Sequence, residues 1–470
     1  MRIVTQLAAA LSLAALAAPA PARLTPAETR MAQAVDAEQE RTLQMLERWV
    51  NQNSGTLNKE GVRKVGEMVR AELEPLGFKV EWIDMSAAGR SGHLVARHPG
   101  RGKKLLLIGH LDTVFEPDSP FQRWTRKGDM GEGPGSGDDK GGMAVIVAAL
   151  RAMHAAGTLR NADVTVFLTG DEEDAGPVEL SRRDLLAEGR KADVALDFEG
   201  LVRDEGRDMG SIARRSSDEW TLTVKARGGH SSGIFTPGSG SGAIFKLPRL
   251  IETFRRDLPE PNLTFNVGLV GGGDGATLDP GRVRITATGK TNIIASTAIA
   301  RGDMRALSVE QIERTRQKMR AIVAQPLNGA SASIEFHPDG YPPMAPTAGN
   351  RALLDRLNAV NRDMGLPEMG ELDPVKRGAA DISFVAKEVD GLAWLRALFD
   401  RRPCAGRSGG YSVDLDPVQA RRNPDEPVGG GEALAGQAVG QHAARLAGRR
   451  HDQRRRGGDR HLERGRAPEG

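Results

Sequence analysis

The chain has 470 residues, long enough for two or three domains, and its 39% hydrophobic content is enough for a buried core. A formal net charge of +3 gives no overall reason to bind nucleic acid, although from about residue 395 onward the chain carries 15 Arg and no Lys. A single cysteine, Cys404, excludes an internal disulfide framework, so any metal must be held by His, Asp and Glu.

The chain opens with Arg2, an apolar run from Leu7 to Ala18, and the small residues Ala18-Pro19-Ala20-Pro21-Ala22. This pattern reads as a secretory signal over residues 1–22, which implies a secreted or periplasmic protein. The run is shorter than the roughly 20 apolar residues a spanning helix needs, and no other stretch could span a membrane. Residues 27–50 and 61–76 read as helices, the second ended by Gly77. Residues 78–83, 93–96 and 104–108 read as strands, and Leu105-Leu106-Leu107-Ile108 is apolar throughout, as a strand buried on both faces should be. An apolar helix over 141–156 and another buried strand over 164–168 come next. Strands alternating with helices predict an α/β sheet with its ligands at the carboxyl ends of the strands.

Near residue 212 the pattern changes. Residues 220–226, 263–269, 283–287 and 298–304 read as strands, and 247–256 and 308–323 as amphipathic helices. This mixture predicts a small α+β domain inserted into the first. The α/β style returns over 353–364 and 382–387.

Four constellations carry candidate chemistry. His110-Leu111-Asp112 comes directly after the buried strand, where an imidazole can ligate a metal and a nearby carboxylate can accept its other N–H. Asp138-Asp139-Lys140-Gly141-Gly142 precedes the apolar helix; its carboxylates suit either a bridge between cations or a helix cap. Asp171-Glu172-Glu173-Asp174 closes the next strand, where one Glu can bind metal while its neighbour takes a proton from water. Asp197-Phe198-Glu199 adds two carboxylates at a further strand end.

Together, from about residue 40 to about residue 390, these motifs resemble the M20 metallopeptidases, the family of glutamate carboxypeptidase, aminoacylase and succinyl-diaminopimelate desuccinylase. The resemblance implies a zinc-peptidase catalytic domain with a central, mostly parallel sheet, interrupted by an inserted α+β lid and dimerisation domain. The parts would be 23–211, the insert 212–331, and 332–394. The resemblance also implies two zinc ions per subunit, with cobalt a possible substitute, and a homodimer formed through the insert. His110 would bind one zinc, oriented by Asp112. Asp138 would bridge the metals, Glu172 would be the general base, and Glu173 and Glu199 would each ligate one zinc, with Asp197 the competitor for the last role. In the insert, Gly228-Gly229-His230-Ser231-Ser232 matches the family's lid histidine, which would make His230 an oxyanion donor in the partner's site. Asn292 lies in a match to an Asn-x-Ile-Pro turn in which Ala295 replaces the Pro, and Arg305 matches an Arg that grips a substrate carboxylate. The expected activity is hydrolysis of a peptide or amide bond beside a free carboxylate; the alternative is a deacylase or desuccinylase of N-acyl amino acids.

One element of the family pattern is missing. A C-terminal His ligand should come after Arg377-Gly378-Ala379-Ala380-Asp381, yet the only later histidines are His442, His451 and His461, in Arg- and Gly-rich surroundings. Asp400 to Ala405 can be encoded so that reading one base later gives Thr-Gly-Gly-His-Ala. The segment also lacks Lys, Ile, Met and Thr. Residues 395–470 are therefore read as an aberrant, frameshifted or disordered tail, which makes a single-zinc, impaired relative the rival reading.

Overall fold

A computed structural model describes residues 24–128, 130–393, 401–403 and 411–414. The leader at 1–22, the later histidines and most of the basic tail lie outside these residues. Of the tail, the strands Arg401–Pro403 and Tyr411–Asp414 pair with each other, and the second pairs with Met130–Glu132. Among the described residues, no helix is long and apolar enough to cross a membrane.

The body is built on six strands in the order Lys79–Asp84, Gly92–His98, Asp163–Thr169, Lys104–His110, Val194–Asp197 and Gly391–Ala393. The last four run parallel to one another; the first two attach antiparallel. This is the mostly parallel sheet the sequence predicts. Apolar side chains from both faces bury against helices: Leu107, Val166 and Leu168 pack with Trp49, Val65 and Val147, while Leu106, Ile108 and Phe167 pack with Leu185 and Ile382. The helix predicted over 27–50 is in fact two, Pro26–Ala37 and Gln39–Asn51, divided at Glu38.

The inserted unit has its own sheet and core. Strands Thr264–Phe265, Leu269–Gly273 and Ala330–Phe336 join Asp218–Ala226 and Thr297–Arg305, and Trp220, Leu222, Leu247, Phe254, Met304 and Met319 bury between sheet and helices. Two corrections arise. The single strand predicted over 263–269 is broken, with its halves pairing at different places along Thr297–Arg305. The unit also ends later than residue 331, because Ala330–Phe336 pairs along Asp218–Ala226. The two crossings between body and insert are tied together by bridges between Ser217 and Tyr341 and between Arg214 and Met344.

Within the insert, Glu260 accepts from Arg314 (2.7 Å), Gln311 (2.9 Å) and Lys318 (3.3 Å). The bond from Arg314, reinforced by the other two, pulls its carboxyl down to about 2. A depressed folded pKa contributes stability that is complete above the ordinary glutamate range and is lost as pH falls through about 2. Glu260→Gln should therefore cost about 1–2 kcal/mol at pH 7. In urea melts at stepped pH, the gap from wild type should close below pH 4.5; a gap independent of pH would contradict this account.

Candidate metal centre

Parallel pairing places three chemistry-bearing strand ends side by side. His110 registers with Thr169, and Ile108 with Asp197, so His110, the turn at 170–174 and the Asp197–Glu199 segment emerge on one edge. The Asp138–Asp139 loop closes over that edge. Gly109 and Gly142 let it approach, since a Cβ on either would fall within 2.5 Å of the Asp139 carboxylate. That carboxylate accepts the His110 amide (3.1 Å).

His110 is 2% exposed. Its Nδ1 lies 3.1 Å from the Asp112 carbonyl, which can only accept, so the ring proton belongs there and Nε2 is left to a metal. Nε2 points at Asp138 Oδ1, 3.1 Å away. Donor atoms of His110, Asp138 and Glu173 all lie within 4.8 Å of one another.

Electrostatics fit a cation at this point. Burial raises Glu172 and Glu173 well above the ordinary carboxylate range. His110 opposes the rise, while Glu199 pushes both further up and Asp138 adds to the rise on Glu173. Burial alone would lower the His110 pKa, but Asp112, Asp138, Asp139 and Glu172 around it raise it well above its usual value, so that without a cation a second proton is held on Nε2, where a bound metal would take its place. A divalent cation would relieve the carboxylate repulsion, and one imidazole with two carboxylates is a donor set that suits zinc.

Asp112 has a second task that the sequence did not suggest. Its carboxylate accepts the backbone amides of Glu172 (3.0 Å) and Glu173 (3.1 Å) and the Thr56 hydroxyl (2.6 Å), which clamps the acidic turn beside His110. The His110 ring itself meets this carboxylate only at 3.4 Å.

Glu199 is not brought into the three-residue group. It forms an ion pair with the buried Arg214, and Arg377 Nη2 lies 3.5 Å from its Oε2. Asp197, its competitor, lies 3.5 Å from the same Arg214. Burial, opposed by Arg214, pushes Asp197 up to about 7. The sequence points to Arg377 only as part of the segment before the expected C-terminal His and does not point to Arg214, because nothing local to either indicates the facing carboxylates.

In the insert, the strand Gly229–His230 pairs with Ile293–Ile294, which brings together two of the expected residues. The exposed His230 bonds Ser232 through Nδ1 (2.8 Å), and the Asn292 amide lies 3.4 Å from its Nε2. Arg305 lies apart from them and is paired with Asp303 (3.0 Å). None of the three belongs to the His110–Asp138–Glu173 group.

A strand edge that gathers an imidazole and carboxylates, on a body interrupted by a smaller unit, is the architecture of a metallopeptidase. The chain belongs to peptidase family M20/M25/M40, which it matches over residues 106–401. Carboxypeptidase G2 of Pseudomonas sp. (strain RS-16) is 32% identical over 263 residues, 54% of this chain and 61% of that protein. Succinyl-diaminopimelate desuccinylase of Dechloromonas aromatica (strain RCB) is 31% identical over 242 residues, 48% of this chain and 61% of that protein. The chain thus spans about 61% of the length of each of these two relatives. In fold it is similar to a tripeptidase from Staphylococcus aureus subsp. aureus Mu50, with a TM-score of 0.59 at 16% identity, covering 81% of this chain and 95% of that one.

Proposed function

We propose that the protein hydrolyses a peptide or amide bond beside a free carboxylate, using zinc held by His110, Asp138 and Glu173. The observation that carries this reading is the convergence of those three donors, with the Glu172 carboxylate next in the chain at the same strand edge. Zinc in such a site acts as a Lewis acid toward a carbonyl and lowers the pKa of water. Glu172 takes a proton from the attacking water and passes it to the leaving nitrogen. Asp112 fixes the base and the ligand Glu173 in one register with His110. A second zinc, bridged by Asp138, would require Glu199 to leave Arg214 and Arg377. Cobalt would serve as a substitute.

Arg305 would grip the substrate carboxylate, with Asn292 beside His230 contributing polar contacts. Two copies would pair through the insert, each supplying His230 to its partner's site, and the apolar leader would export the chain to the periplasm or beyond. On this reading His230→Ala should lower kcat by roughly 10²–10³-fold with an unchanged melting temperature, because an exposed oxyanion donor supports no core. Steady-state kinetics check this, and an unaltered rate would make His230 an ordinary surface residue.

The test of function is a substrate panel with chelator-stripped protein before and after zinc: a peptide ending in glutamate, an N-acetyl amino acid and an N-succinyl amino acid. Zinc-dependent release from the peptide is the expected result. Cleavage of only the acylated amino acids would favour the deacylase reading, which the similarity to the desuccinylase supports. No hydrolysis by zinc-loaded protein would leave the single-zinc, inactive relative.

A further inference from the structure

The acidic turn is held from its far side as completely as from the metal side. Gly170 donates its amide to His93 Nδ1 (3.2 Å). The Thr169 hydroxyl donates to Asp381 (2.5 Å). Arg182, wholly buried, donates to the Asp171 carboxylate (2.6 Å), the Asp171 carbonyl (3.2 Å), Asp381 (2.7 Å) and the Tyr341 hydroxyl (2.9 Å). Tyr341 passes that bond on, its hydroxyl donating to the Glu172 carbonyl (2.8 Å). Glu172 is therefore fixed at both backbone groups, its amide by Asp112 and its carbonyl by Tyr341.

Tyr341 is also where the chain returns from the insert. Its amide and carbonyl pair with Ser217 on the outgoing crossing, both at 3.0 Å, and its ring packs edge-on against Phe384. One residue thus joins the paired crossings between body and insert, through its backbone, to the backbone of Glu172, through its hydroxyl.

We infer that Tyr341 is a positioning residue for Glu172, holding the base in register with His110 through the Glu172 carbonyl. The inference rests on Glu172 being the base. Misplacing a catalytic group by a fraction of its hydrogen-bond reach costs rate without affecting ground-state binding in proportion.

Tyr341→Phe keeps the ring on Phe384 and removes only the hydroxyl. In zinc-loaded protein, kcat should fall about tenfold with KM within about twofold and zinc content unchanged. Amide hydrogen exchange should accelerate in a peptide covering 169–174 and stay unchanged in one covering the strand Lys104–His110. Unchanged kcat and unchanged exchange would overturn the inference. So would acceleration in both peptides, which means general loosening of the fold. If wild-type protein cleaves nothing, the functional reading fails by itself, and the exchange comparison still decides whether Tyr341 holds the turn.

Discussion

Replacing Glu172 with alanine is expected to lower kcat by about 10²–10⁴-fold, the span a general base contributes, while leaving zinc content near the wild-type value. The two effects separate because Glu172 is outside the donor group of His110, Asp138 and Glu173. The turn should survive the change, since Asp112 and Tyr341 hold Glu172 by its backbone and not by its carboxylate. Glu173→Ala gives the opposite signature: it removes a donor, so zinc and activity should fall together. Kinetics combined with atomic emission on the same samples check both variants. A Glu172→Ala protein that keeps a large part of the wild-type rate would refute the assignment.

Arg182→Met is expected to be the most damaging single change to stability. Its guanidinium lies between Asp171 and Asp381, both buried, with Tyr341 and Phe384 against its faces. Burial pushes Asp171 up, but Arg182 together with His93, the Ser181 hydroxyl and the Gly176 amide outweighs it and holds the carboxyl below the ordinary aspartate range. Removing one partner of a buried pair leaves uncompensated charge, which costs about 3–5 kcal/mol. Urea denaturation should show a loss of that order, and adding Asp171→Asn and Asp381→Asn should recover part of it. A loss under about 1 kcal/mol would mean water reaches the network and the charges are not truly buried.

Those two variants also mark how far the sequence could be read. Strand ends were legible, because a run such as Leu105-Leu106-Leu107-Ile108 fits only a strand covered on both faces, and the residues just after it must emerge at an edge. Donor atoms of His110, Asp138 and Glu173 stand within 4.8 Å of one another at that edge. Long-range partners were not legible. Arg214 reaches Glu199 from the start of the insert, and Asp381 reaches Arg182 across 199 residues of chain. A His-x-Asp spacing makes Asp112 a partner of His110 alone and does not show that its carboxylate caps two amides of a turn 60 residues away. The strand Ala330–Phe336 alternates apolar and polar residues in phase with its exposure, a weak period-2 signal because Ala and Ser differ little, so it is present in the sequence but not among the strands predicted from it.

The missing C-terminal His and the Arg-rich segment after about 395 bear on metal number. With Glu199 held by Arg214, one three-ligand site is what the described residues offer. A chain carrying Gly-Gly-His in place of Arg401-Arg402-Pro403, as a shifted reading frame would encode, should gain zinc and activity relative to the chain as written.

On the proposed function, His110, Asp138 and Glu173 form a zinc site. Its most direct test is calorimetric titration of zinc into chelator-stripped wild-type and His110→Ala proteins. One tight site in the wild type, lost or weakened at least tenfold in the variant, is the expected result, because the lost imidazole is one of few ligands. Equal zinc affinity in the two proteins would contradict it.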